Sequence, residues 1–147
     1  GGIVIGICNG FQILCEVGLL PGALIRNNCL EFRCMSVDLA VENSTSEFNR
    51  DILGARLRLP IAHGEGNYCI DAEGMAEIEV NNQVLFRYSE PSGNPNGAMG
   101  DIAGIRNRAG NVFGMMPHPE RAVEKFHPSS DGIKVLKSVL VSNLIHA

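Results

Sequence analysis

The stretch Ile3-Val4-Ile5-Gly6-Ile7-Cys8-Asn9-Gly10-Phe11-Gln12-Ile13-Leu14 changes its hydrophobic period within a residue or two. Up to Ile7 the apolar residues are continuous, as in a short strand buried on both faces of a parallel sheet. From Gly10 onward Phe11, Leu14, Cys15 and Gly18 recur at helical spacing, and Leu19-Leu20-Pro21-Gly22 ends the helix. No loop residues separate the two elements. A strand over residues 2–7 therefore runs into a helix through a tight turn, with Cys8 at the junction.

Further along, Met35, Val37, Leu39 and Val41 alternate with polar or small residues, which predicts a half-buried strand, and Leu57, Leu59 and Ile61 repeat the pattern. Residues 83–88 read as another strand. The Pro-, Gly- and Asn-rich segment 90–101 reads as a loop. Residues 102–105 and 111–115 form two short strands around a hairpin turn at "NRAG". Asp131 is placed to cap a last helix whose apolar face is Val135, Leu136, Val139, Leu140 and Leu144. Strands interleaved with helices predict a three-layer α/β domain with a mixed sheet, one domain over residues 1–147.

Composition narrows the function classes. Apolar residues make up 45% and charged residues 19%, enough to bury a core. The net charge of −4 with no basic cluster argues against nucleic acid as a partner. No uninterrupted apolar run reaches the ~18 residues of a membrane span, and no basic segment precedes the first apolar run as in a signal peptide. Five cysteines without a CxxC pair suggest neither zinc nor a disulfide framework; reduced thiols, mostly buried, are the expectation. The chain has no initiator Met and begins inside a strand, so an N-terminal segment is expected to precede it.

Cys8 leaves two readings open. Gly6-x-Cys8-x-Gly10 fits a nucleophile on a strand-to-helix elbow, where the flanks must be small and the free N–H groups of the helix start stabilise a thiolate. It equally fits a cysteine that is merely buried. A thiol nucleophile also needs a base and an orienting group. Of the four histidines, His146 sits at the C-terminus and His127 in a polar loop, neither with an assigned role. His118 is the better base: Pro117 and Pro119 stiffen its backbone, and Glu120 falls on the same side at i+2. The competing arrangement pairs Glu120 with Arg121 and leaves His118 as a helix cap. His63 lies in "AHGEGNY".

Taken together, "GICNGFQIL", "GLLPGAL", "PIAHGEGNY", "GNPNG", "IAGI", "GNVFGMMPHPERAVE" and the helix after "DGIK" resemble the triad-type (class I) glutamine amidotransferases, and within them the glutaminase subunits of phosphoribosylformylglycinamidine synthases. The resemblance runs from end to end. It implies a flavodoxin-like α/β fold with a mixed, mainly parallel sheet, of which this chain would be the C-terminal portion. It implies Cys8 as the nucleophile on the glutamine carboxamide, His118 as the base, Glu120 as its orienter, the Asn9 N–H as an oxyanion donor and Gln12 as a substrate contact. His63 and Glu65 would serve structurally, holding a loop or a tunnel mouth. A second oxyanion donor would come from the preceding N-terminal segment. The resemblance further implies a cytoplasmic subunit that passes ammonia to a large synthetase subunit, with a small accessory subunit. There formylglycinamide ribonucleotide becomes the formylglycinamidine. ATP and Mg would bind that partner, and this chain would need no cofactor; it has no phosphate-binding loop ending in Lys-Ser/Thr. Two other readings are another cysteine hydrolase of the α/β class, such as a gamma-glutamyl peptidase, and a non-catalytic synthetase-binding scaffold.

Overall fold

The computed structural model describes residues 2–42, 46 and 48–144. The strands are β1 (Val4–Ile7), β2 (Ala23–Ile25), β3 (Arg33–Val41), β4 (Arg56–His63), β5 (Asn67–Cys69), β6 (Val84–Ser89), β7 (Ile102–Arg106) and β8 (Val112–Met115). The helices are α1 (Asn9–Glu16), α2 (Ala72–Val80) and α3 (Gly132–Leu144). Six strands form one sheet in the order β1-β8-β7-β6-β3-β4, and β2 pairs with β5 in a separate ribbon.

The sheet is mixed, as expected, but it is not mainly parallel within this chain. Among the described residues only β1 and β8 pair in parallel; β8–β7, β7–β6, β6–β3 and β3–β4 are antiparallel. Connection length explains part of this. A turn as short as the one between β7 and β8 can only reverse the chain, whereas the β1–β8 pair is joined through most of the sequence. The 107–111 turn is closed by Asn107 Oδ1, which accepts from the N–H groups of Asn111 and Val112.

The first strand also differs from its expected double burial. β1 occupies the sheet edge, and Val4 and Ile5 are 43% and 40% exposed. Helix α1 ends at Glu16, before the Leu19–Gly22 segment, because Gly18 takes a left-handed φ of 75° and breaks the repeat. Its buried face is Phe11, Leu14 and Cys15, as its periodicity predicts. Phe11 lies over Gly114 of β8, so α1 covers one face of the sheet. On the other face Phe113 meets Phe48 and Phe86, with ring centroids 5.4 and 5.8 Å apart. Helix α3 packs on β4 and on the 50–52 turn beside Phe48, burying Val135 and Val139. The side chains of Leu140 and Leu144, and His146, lie outside the described part.

Three elements have no strong sequence signal. α2 lacks a clean apolar stripe and buries only Ile78, and it is started by Asp71, whose carboxylate accepts from the Gly74 N–H at 2.7 Å. β2 and β5 are three-residue strands, too short to show alternation. Asp131 directly precedes α3, and its carboxylate accepts from Arg58 N–H on edge strand β4 at 2.9 Å and from Lys134 Nζ at 2.6 Å, tying the helix to the sheet. No helix among the described residues is long and apolar enough to cross a membrane.

Candidate active site

Cys8 ends one hydrogen-bond ladder and begins another. Its N–H donates to Met115 O at 2.9 Å, extending the β1–β8 pairing, and its carbonyl accepts from the N–H groups of Phe11 and Gln12, starting α1. Serving both ladders forces φ 53° and ψ −107°, left-handed backbone that a non-glycine residue rarely adopts. Such a conformation costs of order 1–3 kcal/mol, and the surrounding elements impose it. Gly6 is required by close approach: a Cβ there would lie 2.5 Å from Leu14 and 2.6 Å from the Gly10 backbone. Gly10 departs from expectation, since a Cβ on it meets nothing within 4 Å. Smallness is demanded at one flank of the elbow, not both.

The Cys8 thiol opens into a cavity of about 620 Å³ lined also by Ile7, Asn9, Gln12, Phe32, Ala62, His63, Gly64, Glu65, His118 and Arg121. The structure thus brings Cys8, Asn9, Gln12 and His118 around one space, with Glu120 directly behind His118. Glu120 Oε1 sits 2.6 Å from His118 Nδ1. A carboxylate can only accept, so Nδ1 carries a proton, and in the neutral ring Nε2 then presents its lone pair. His118 is 7% exposed, and its Nε2 is buried without a hydrogen-bond partner in the protein. The two arrangements left open for Glu120 coexist: the same carboxylate oxygen lies 3.7 Å from Arg121 Nε. His118 makes no side-chain cap to the turn that follows it.

Burial pushes the Cys8 thiol above its ordinary value, more than the Asn9 N–H and the Arg121 guanidinium pull it down. At neutral pH the resting sulfur is a neutral thiol that also makes a weak contact to Ala62 O at 3.8 Å. A group positioned to remove its proton is therefore a chemical necessity for nucleophilic work. Gln12 donates from Nε2 to Glu65 O at 2.9 Å, which leaves its Oε1 for a ligand. The expectation that most cysteines are buried fails: Cys8 and Cys15 are buried, Cys29 and Cys69 half-buried, and Cys34 exposed.

His63 is 4% exposed with neither ring nitrogen hydrogen-bonded, and its ring packs against Gly66 so closely that a Cβ on Gly66 would come within 2.2 Å. Burial, helped by nearby His118, lowers its pKa to about 4. The unfolded chain protonates this histidine near 6.5, so between pH 6.5 and 4 the unfolded state binds the extra proton. The resulting stability is present above pH 6.5 and is lost as the pH falls through 4. The expected loss between pH 7 and 4 is about 3 kcal/mol from this residue. Urea denaturation of wild type and His63→Gln at both pH values checks it: the variant's stability should fall less over the same range.

Residues 1–134 match the CobB/CobQ-like glutamine amidotransferase domain family. The chain belongs to that family. It is 56% identical to phosphoribosylformylglycinamidine synthase subunit PurQ of Moorella thermoacetica over 95% of its own length and 62% of that protein's. Against PurQ of Lacticaseibacillus paracasei the identity is 58%, over 95% of this chain and 60% of that one. Among solved structures, PurLQS from Thermotoga maritima matches with a TM-score of 0.82 and 46% identity, covering 97% of this chain and 62% of that chain. The chain thus spans about three fifths of the length of these relatives, and it has their α/β amidotransferase fold.

Sequence reasoning missed three residues at or beside the cavity. Arg121 and Phe32 line it, and Asn27, fully buried, braces its wall. Arg121 adjoins Glu120 in the chain and was readable as part of the same segment. Phe32 and Asn27 carry no local signal, since only the packing of their loop against residues 63–66 brings them there. His127 Nδ1 accepts from the N–H groups of Val123 and Glu124, a local turn away from the cavity.

Proposed function

We propose that this domain hydrolyses glutamine to glutamate and ammonia through Cys8, His118 and Glu120. The observation that carries the reading is the strained elbow at Cys8 sharing one cavity with a histidine whose Nδ1 is held 2.6 Å from a carboxylate. His118 Nε2 takes the thiol proton as Sγ attacks the side-chain carbonyl carbon of glutamine. The negative oxygen of the tetrahedral intermediate is met by the Asn9 N–H, with the helix start adding its partial positive charge. Collapse breaks the C–N bond, and His118 returns the proton to departing ammonia. Water, deprotonated by His118, then cleaves the γ-glutamyl thioester, releasing glutamate and restoring the thiol. Gln12 Oε1 and the Arg121 guanidinium are groups that can hold the substrate's amino and carboxylate ends.

The ammonia passes to a large synthetase subunit that converts formylglycinamide ribonucleotide to formylglycinamidine ribonucleotide with ATP and Mg bound there, assisted by a small accessory subunit, in cytoplasmic purine biosynthesis. The names of the PurQ relatives and of the PurLQS assembly support a place in such a synthase; the ammonia transfer, the ATP and Mg, and the cytoplasmic setting extend that reading through the family resemblance. A glutamine analogue with an electrophile in place of the carboxamide should label Cys8 ahead of Cys15, Cys29, Cys34 and Cys69. The full natural protein should release glutamate from glutamine and leave gamma-glutamyl peptides untouched. Preferential hydrolysis of such peptides would reassign it to a gamma-glutamyl peptidase; synthetase binding without glutamine hydrolysis would make it a scaffold.

A further inference from the structure

Asn27 has no place in the chemistry just described, yet it is fully buried, and its N–H and side chain together make four hydrogen bonds. Its N–H donates to Gly64 O at 2.9 Å. Its carboxamide Nδ2 donates to His63 O at 3.0 Å and to Glu31 O at 2.9 Å, and its Oδ1 accepts from the Gly66 N–H at 2.9 Å. One side chain thus grips both ends of the 63–66 segment and joins it to the turn that carries Phe32. Segment 63–66 supplies His63, Gly64 and Glu65 to the cavity, and Glu65 O receives Gln12 Nε2. Its two glycines would leave this wall free to wander if nothing held it.

We propose that Asn27 is a positioning residue for the glutamine cavity: it holds the 63–66 wall, and with it the Gln12–Glu65 contact, at the spacing that glutamine requires. The proposal rests on the glutaminase reading above. Only a carboxamide of this length offers two donors and one acceptor at these points. Aspartate keeps the acceptor, lacks the donors and sets a negative charge against two carbonyls. Asn27 does not line the cavity and does not touch the elbow, which β1, β8 and α1 hold by themselves. Its effect therefore belongs to substrate affinity and not to the reactivity of the sulfur.

The test is Asn27→Asp in the full natural protein, with three readouts. KM for glutamine should rise about tenfold, kcat should stay within about threefold, and labelling of Cys8 by iodoacetamide, a small reagent that needs no wall, should keep its rate within about twofold. An unchanged KM in folded N27D overturns the positioning role, as does a parallel fall in kcat and in labelling, which would place the effect at the elbow. Wild-type protein gives a check independent of the variant's folding. The Gly66 amide should exchange with solvent as slowly as the amides of central strand β6, and exchange at the rate of an open loop overturns the clamp. If wild-type protein failed to hydrolyse glutamine at all, the glutaminase reading would fall and this proposal with it; a normal wild-type KM beside an unchanged N27D value overturns the positioning role alone.

Discussion

Replacing His118 with asparagine is expected to lower kcat/KM for glutamine about 10²–10⁴-fold, the usual worth of a positioned general base and acid. The loss should fall on kcat, because His118 acts on protons in flight and not on bound glutamine. A second signature follows from the thiol itself. Burial holds Cys8 above its ordinary value, so without a base its sulfur becomes a thiolate only when the pH rises past the normal thiol range. In His118→Asn, iodoacetamide labelling of Cys8 should be slow at neutral pH and climb steeply in alkaline solution, whereas wild type should label well below that range. Glu120→Gln should move in the same direction. A glutamine side chain can donate to Nδ1 and so favour the tautomer whose proton is on Nε2, where it blocks uptake of the thiol proton. Steady-state kinetics with labelling profiles for both variants make the check; an unaltered pH profile in His118→Asn would remove His118 from the mechanism.

Gly6→Ala is expected to damage both the fold and the elbow that carries Cys8. The added methyl would sit 2.5 Å from Leu14 Cδ1 and 2.6 Å from both the carbonyl carbon and oxygen of Gly10. Leu14 can shift its rotamer; the Gly10 backbone cannot retreat without prising α1 off β1. Overpacking of this kind costs about 1–3 kcal/mol, and contact with backbone puts it at the upper end. For a chain of this size that corresponds to a fall in Tm of about 5–10 °C. Opening the elbow would also swing Cys8 away from His118, so glutamine hydrolysis should fall along with stability. Gly10→Ala is the control. It adds the same methyl within the first turn of α1 where nothing lies within 4 Å, and alanine favours helix, so its Tm should hold or rise. Thermal denaturation of the pair decides the point, since equal Tm values would contradict the close approach at Gly6.

These two predictions also mark how far the sequence could be read. The elbow was legible because every part of it is local. The switch from a continuous apolar run to helical spacing falls at Cys8, and the flanking glycines lie two residues away. The His118–Glu120 pair was half legible: the i, i+2 spacing in a proline-stiffened segment sets the two on one side but left a Glu120–Arg121 pairing open, and only the family resemblance chose between them. What stayed illegible is non-local. That Asp131 reaches across to β4 depends on which segments become neighbours. So does the exposure of Val4 and Ile5, which an apolar run cannot foretell without knowing that β1 is an edge. The antiparallel majority of the sheet follows from pairings such as β6 with β3, which connect segments over forty residues apart, where periodicity says nothing about partner or direction.

By itself, then, the sequence pointed to the candidate residues and their local setting: a thiol on a strand-to-helix turn, and a histidine two residues from a carboxylate. Local backbone preference and short-range spacing act within a few residues and leave their mark in the order of residue types. The tertiary structure alone decided that Cys8 and His118 share one cavity, that His63 is buried and neutral, and that Asn27 braces the wall. Those outcomes arise from burial and from hydrogen bonds between segments far apart in the chain, whose energies depend on the packed whole and not on any window of the sequence.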